Sequence, residues 1–224
     1  MRSYLRTMSV RAALFVAACV VCTALPLGAH PHIFVDAGLR LILNAEGRLA
    51  AVDVTWRYDA LYSMLLTEDY GLDPDHDLRL TPDEIAITLG FDLNWSGGFA
   101  GGLVITQGGA RLDIGPPMPV SLRLLETGQI ETVHRRPVLG APPMATLEAQ
   151  IFDPDFYVAF EMILDLDLTD APGCSADLIR ADLDAAYGVL EAALDAIGGA
   201  VAAEDNFPPV GAYFADRVVI TCPG

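Results

Sequence analysis

The sequence contains no lysine: all 13 of its basic residues are arginine, set against 30 acidic ones. A formal charge of −17 repels polyanions, which argues against nucleic acid and anionic lipid as partners and favours cations. Internal repeats and low-complexity tracts are absent, which argues against solenoid and compositionally disordered chains. No G-x-S-x-G elbow, H-E-x-x-H helix or phosphate-binding glycine loop occurs, and no serine is paired with a histidine in a nucleophile pattern. The sequence therefore makes no case for an enzyme. Beyond residue 29 no apolar run approaches the roughly 20 residues a spanning helix needs.

An apolar run does stand at the start. Arg2, Arg6 and Arg11 lead into Ala12 to Leu25, which ends at Pro26-Leu27-Gly28-Ala29. Charged, then apolar, then small is the order of a secretory signal peptide. Residues 1–29 thus read as a cleaved signal and 30–224 as one domain working outside the cytoplasm. A rival cut lies at Val16-Ala17-Ala18-Cys19, a lipoprotein-like box that would acylate Cys19. Loss of the three signal arginines takes the charge from −17 to −20. The remaining 195 residues are enough to bury a core.

Cysteine is scarce as well. Of four, Cys19 and Cys22 leave with the signal, and Cys174 and Cys222 stay. In an oxidising compartment two cysteines most simply form one disulfide, here tying the segment before the long helix to the C-terminal strand. A redox or metal pair is the alternative, but their spacing fits no C-x-x-C motif.

Periodicity predicts strands over 32–43 and 48–58 around an Asn44–Gly47 turn, then a helix capped by Asp59 and running to Tyr70. Thr81-Pro82-Asp83-Glu84 is a capping-box start for a second helix reaching about Leu93. Further strands are expected near Leu103–Ile105, over 120–126 and 129–133 as a hairpin, over 146–152 and 156–166, and over 210–222. Residues 175–197 read as the longest helix, with Leu178, Leu183, Leu190, Leu194 and Ile197 facing a core. The class is α+β: mainly antiparallel strands, an EF-hand-like helix–acidic loop–helix insert over about 59–93, and one long C-terminal helix.

That loop, residues 73–84, has the oxygen ligands of a calcium site at the required positions. Asp73, Asp75 and Asp77 stand at positions 1, 3 and 5, Arg79 offers its carbonyl at 7, Thr81 stands at 9 and Glu84 at 12. A hard cation wants six or more oxygens, and four carboxylates offset its charge. Position 6 departs from the pattern: Leu78 stands where glycine should take positive φ, at a cost of about 1–2 kcal/mol. The expectation is a weak calcium site, or a loop that keeps the shape without the ion.

Cleavage after Ala29 exposes His30-Pro31-His32. In an extended chain His30, His32 and Asp36 share a face, and two imidazoles with a carboxylate suit Ni(II), Co(II), Zn(II) or Cu(II). Pro31 has no N–H to lose, which excludes the square-planar amino-terminal copper/nickel motif. His134, in Val133-His134-Arg135-Arg136, reads as a surface residue of a hairpin. His76 falls at a non-ligand position of the acidic loop, Asp153 and Asp155 belong to a turn around Pro154, and Trp56, Tyr58 and Tyr62 read as core.

Ala29-His30-Pro31-His32-Ile33-Phe34-Val35 after a signal, Trp56-Arg57-Tyr58-Asp59 leading through Tyr62-Ser63 to an acidic loop, Asp153-Pro154 and the terminal Cys222 together resemble an uncharacterised bacterial family. That family carries a domain of unknown function and the label of periplasmic component of an ABC-type transport system. Its genes often lie beside nickel/cobalt exporter-type permeases. The resemblance implies a periplasmic, metal-associated accessory to a membrane metal permease or ABC-type transporter. A non-enzymatic module that docks a membrane partner is the alternative, and a receptor for a small organic ligand is a third reading.

Overall fold

The computed structural model describes residues 31–95, 101–199 and 207–222. The expected signal, its cleavage point, Cys19 and His30 lie outside these residues. Two β-sheets organise the rest. The first begins as a hairpin of β1 (Ile33–Leu43) and β2 (Leu49–Tyr58). The Asn44 side chain makes the turn by accepting the N–H groups of Glu46 and Arg48 at 3.1 and 2.9 Å. Strands β5 (Met118–Leu124) and β6 (Ile130–Pro137) extend it on the β2 side. On the other side β8 (Val158–Glu161) and β9 (Leu166–Asp167) pair with β1 in parallel, giving the order β5-β6-β2-β1-β8.

The second sheet is antiparallel throughout. Its order is β10 (Ser175–Ile179), β11 (Arg217–Thr221), β7 (Leu147–Ile151), β3 (Leu103–Gln107) and β4 (Ala110–Arg111). One apolar cluster joins the two sheets. Val35, Leu39 and Leu41 of β1 and Val52, Val54 and Trp56 of β2 belong to it with Ile105, Leu147, Ile151 and Ile220. The α+β expectation, mainly antiparallel with one long C-terminal helix, describes this architecture.

Helix α1 (Ala60–Tyr70) starts where the Asp59 carboxylate accepts the Tyr62 N–H and stops at Gly71 in the left-handed conformation. Buried Ser63 joins it to the first sheet: its hydroxyl donates to the Tyr58 carbonyl and accepts the Ile130 N–H at 2.9 Å. Ser63→Ala leaves that buried N–H unpaired, so a loss of about 1–3 kcal/mol is expected in urea unfolding. A change under a few tenths would refute this role for the hydroxyl.

Three expectations are corrected. Residues 175–197 are not one helix. Ser175–Ile179 pairs with β11, and α3 (Leu183–Ile197) begins only after Asp182 caps it through the Ala185 N–H. Leu178 and Leu183 are consequently exposed, and α3 buries only Ala186 fully, against Phe156, Val210 and Phe214 in a second, smaller cluster. The stretch 156–166 is likewise two short strands. The other helix, α2 (Pro82–Thr88), is shorter than expected and gives way to a 3-10 turn over Phe91–Leu93.

The disulfide expected between Cys174 and Cys222 is present, joining the start of β10 to the end of β11 with Cα atoms 4.1 Å apart.

Candidate functional site

The acidic loop hangs between α1 and α2. Asp73 turns its carboxylate back into the loop and accepts the N–H groups of Asp77 at 2.9 Å and Leu78 at 3.2 Å. Asp77 accepts the Arg79 N–H at 2.8 Å. These bonds draw the side chains inward. One oxygen from each of Asp73, Asp75 and Asp77 lies within 4.8 Å of the others, and no other group of three His, Cys, Asp or Glu ligands converges among the described residues. Leu78 adopts φ +62°, the left-handed conformation that the calcium pattern gives to glycine, and Asp73 and His76 adopt it too, at +52° and +58°.

Glu84, the expected bidentate ligand, is elsewhere engaged. One oxygen accepts the Asp73 N–H at 2.7 Å; the other accepts both the N–H and hydroxyl of Thr81 at 2.6 Å. The Thr81 hydroxyl in turn accepts the Glu84 N–H, completing the capping box of α2. The Thr81 and Asp73 hydrogen bonds hold the Glu84 carboxyl below its ordinary range. Arg79 lies on the loop between the aspartates and this cap, of which Thr81 is the first residue.

At the other proposed centre, even-numbered residues of β1 face away from the core. His32 is exposed, with its ring 4.7 Å from that of Tyr157, and Phe34 and Asp36 follow on the same face. His32 and Asp36 are four residues apart on an extended chain, about 13 Å, and Phe34 stands between them. Asp36 thus stands two positions beyond Phe34 on the face that His32 begins. Burial raises the Asp36 carboxyl pKa, against the opposing pull of the Arg57 charge.

His134 is the residue that the sequence reading placed wrongly. It is fully buried on the inner face of β6, edge-on to Trp56 and Trp95 at centroid distances of 4.6 and 5.7 Å. Neither ring nitrogen has a hydrogen-bond partner among the described residues. Burial, and secondarily the charge of Arg136, lowers its pKa to about 3, with Asp53 pulling the other way. The imidazole is thus a neutral core group with no role as a surface ligand. Alternation with Ile130 and Thr132 was the signal that places it inward. Nearby, the Asp92 carboxylate accepts the hydroxyls of Tyr58 at 3.0 Å and Thr132 at 2.6 Å. Burial raises its pKa, and these hydrogen bonds oppose the rise.

No curated protein matches this chain at a significant level. Among solved structures, the acetylcholine-binding protein type 1 of Biomphalaria glabrata aligns over 89% of each chain at 11% identity with a TM-score of 0.31, too distant to bear on fold or ligand. A family model described as "Protein of unknown function (DUF1007)" matches residues 15–222.

Proposed function

The chain belongs to this family of unknown function, and from that premise we propose that it is a non-enzymatic, periplasmic accessory protein that binds divalent cations beside a membrane metal permease or ABC-type transporter. The observation that carries the reading is the convergence of Asp73, Asp75 and Asp77 on a loop already turned at Leu78. Calcium is the cation that an all-oxygen loop of this spacing would take, as an EF-hand-like insert. To bind it bidentately, Glu84 must release Thr81 and Asp73, which lowers the affinity. A transition metal of the nickel, cobalt or zinc type would be held by His30 and His32, the pair that the family resemblance singles out. The chain's acidity supports attraction of either cation.

Isothermal titration of the metal-free protein with Ca(II), Ni(II), Co(II) and Zn(II) tests both sites. Calcium heat should vanish in Asp73→Ala, and transition-metal heat in His30→Ala/His32→Ala. Leu78→Gly should raise stability in urea unfolding by about 1 kcal/mol and leave calcium affinity little changed, because Leu78 already holds the left-handed conformation before any ion binds. Calcium heat that survives Asp73→Ala would count against the loop as the site.

A docking module is the second reading, favoured by one observation. Leu61, Met64 and Leu65 of α1 and Ile87 of α2 leave large apolar side chains exposed on the same helix–loop–helix. Absence of heat with all four ions would leave this reading in place of the first.

A further inference from the structure

A row of charged side chains crosses the outer face of the first sheet. Pairing sets Arg123 of β5 beside Glu131 of β6, Glu131 beside Arg57 of β2, Arg57 beside Asp36 of β1, and Asp36 beside Glu161 of β8. The first three are matched: the buried Glu131 carboxylate accepts from both guanidiniums, Arg57 at 2.8 Å. At the far end the alternation of sign fails. Asp36 and Glu161 are register partners on adjacent strands, an arrangement of like charges that destabilises a sheet.

Arg180 is shared: it pairs with Asp216 at 2.7 Å and more loosely with Glu161 at 3.4 Å, while the Arg57 charge opposes that of Asp36. Asp216 is buried and also accepts the N–H groups of Ala181 and Met162, so it holds the guanidinium firmly. Asp36, Glu161, Asp216 and Arg180 carry two negative charges in excess among themselves, which Arg57 beside Asp36 reduces to one.

These four line one cleft of about 460 Å³, between the β1–β8 edge and α3. A volume in this range suits a small organic molecule. Its walls are aromatic: Phe156 and Phe214 stack at 4.1 Å, Tyr187 meets Phe214 edge-on at 5.1 Å, and Phe34 and Phe160 also line it. Phe34 and Tyr187 keep about half of their surface exposed. The cleft is not a metal centre of the usual kind, since no three ligand side chains converge there among the described residues.

We propose that this cleft is a binding site for a small organic cation, an ammonium compound with an apolar body, whose charge lies against Asp36 and Glu161 and whose body packs on the aromatic walls. The ammonium supplies the positive charge that the row lacks at its end. Ring faces attract cations through their quadrupole, and the same rings take up the apolar part. A neutral molecule of the same shape gains only the second contribution. An anionic ligand would meet the excess negative charge. The site is separate from the acidic loop, so it stands or falls independently of calcium binding.

The probes are phenethylamine and choline, with 2-phenylethanol as the uncharged match, titrated calorimetrically into the purified protein. The charged probes should bind, with 2-phenylethanol at least tenfold weaker. Asp36→Asn and Glu161→Gln should each weaken phenethylamine binding at least tenfold. Both substitutions are isosteric, so a thermal unfolding midpoint close to the wild-type value should accompany the loss. Equal affinity for 2-phenylethanol, binding that survives both substitutions, or no binding of either ammonium probe would overturn the proposal.

Discussion

Lowering the pH from 7 to 4 should destabilise the wild-type protein by about 3 kcal/mol more than a His134→Leu variant, as read from urea unfolding at the two values. The sign follows from where the proton goes. The imidazole titrates at its ordinary 6.5 in the unfolded chain, but only at about 3 between Trp56 and Trp95. Between these values the unfolded state holds a proton that the folded state refuses. Stability is therefore complete above 6.5, falls as the pH drops toward 3, and changes no further below it through this group. Leucine has nothing to protonate and removes the slope. At pH 7 the exchange should be nearly neutral. It forfeits two edge-on aromatic contacts worth about 0.5–1.5 kcal/mol each. It also eliminates two buried ring nitrogens without partners, whose desolvation costs a comparable amount. The same pH dependence in both proteins would mean that His134 is charged or solvated in the folded state.

Removing the disulfide should have a larger effect at neutral pH. Cys174 and Cys222 are 48 residues apart, and cross-linking a loop of that length removes about 4 kcal/mol of unfolded-state entropy. A Cys174→Ala/Cys222→Ala variant should melt roughly 8–16 °C lower, given about 2–4 °C per kcal/mol for a chain of this size. Strand β10 lies at the edge of its sheet and pairs only with β11, so the bond also guards an element with little else to hold it. Hydrogen exchange should therefore speed up first over Ser175–Ile179. A melting shift under 2 °C would show that the hairpin-like pairing suffices without the bond.

Much of the acidic loop was legible because its chemistry is local. Asp59 caps α1, Thr81 and Glu84 close a capping box, and the aspartates stand at every second residue, all within a few positions of the groups they bind. Even the departure at Leu78 is informative, since the residue takes the positive φ that the pattern demanded of glycine. Less legible was the use to which Glu84 is put. A capping box and a bidentate ligand ask for the same two oxygens, and sequence spacing satisfies both.

The sequence by itself determined what depends on near neighbours. It set the β1–β2 hairpin through Asn44 and strand alternation, the starts of α1 and α2 through their caps, and the cysteine pair through there being only two beyond residue 29. Only the tertiary structure decided whatever depends on a distant partner. Ser175–Ile179 carries Leu178 at a helical spacing from the residues that follow, yet β11 and the disulfide recruit it as a strand. His134 looks polar among arginines, but Trp56 and Trp95 supply the surface that buries it. Asp36 reads as a companion of the histidines beside it in the chain, and strand geometry instead sets it against Glu161. Hydrogen bonds over three or four residues are encoded where they form, whereas the parallel pairing of β1 with β8 requires the whole intervening chain to fold before Asp36 and Glu161 come into register.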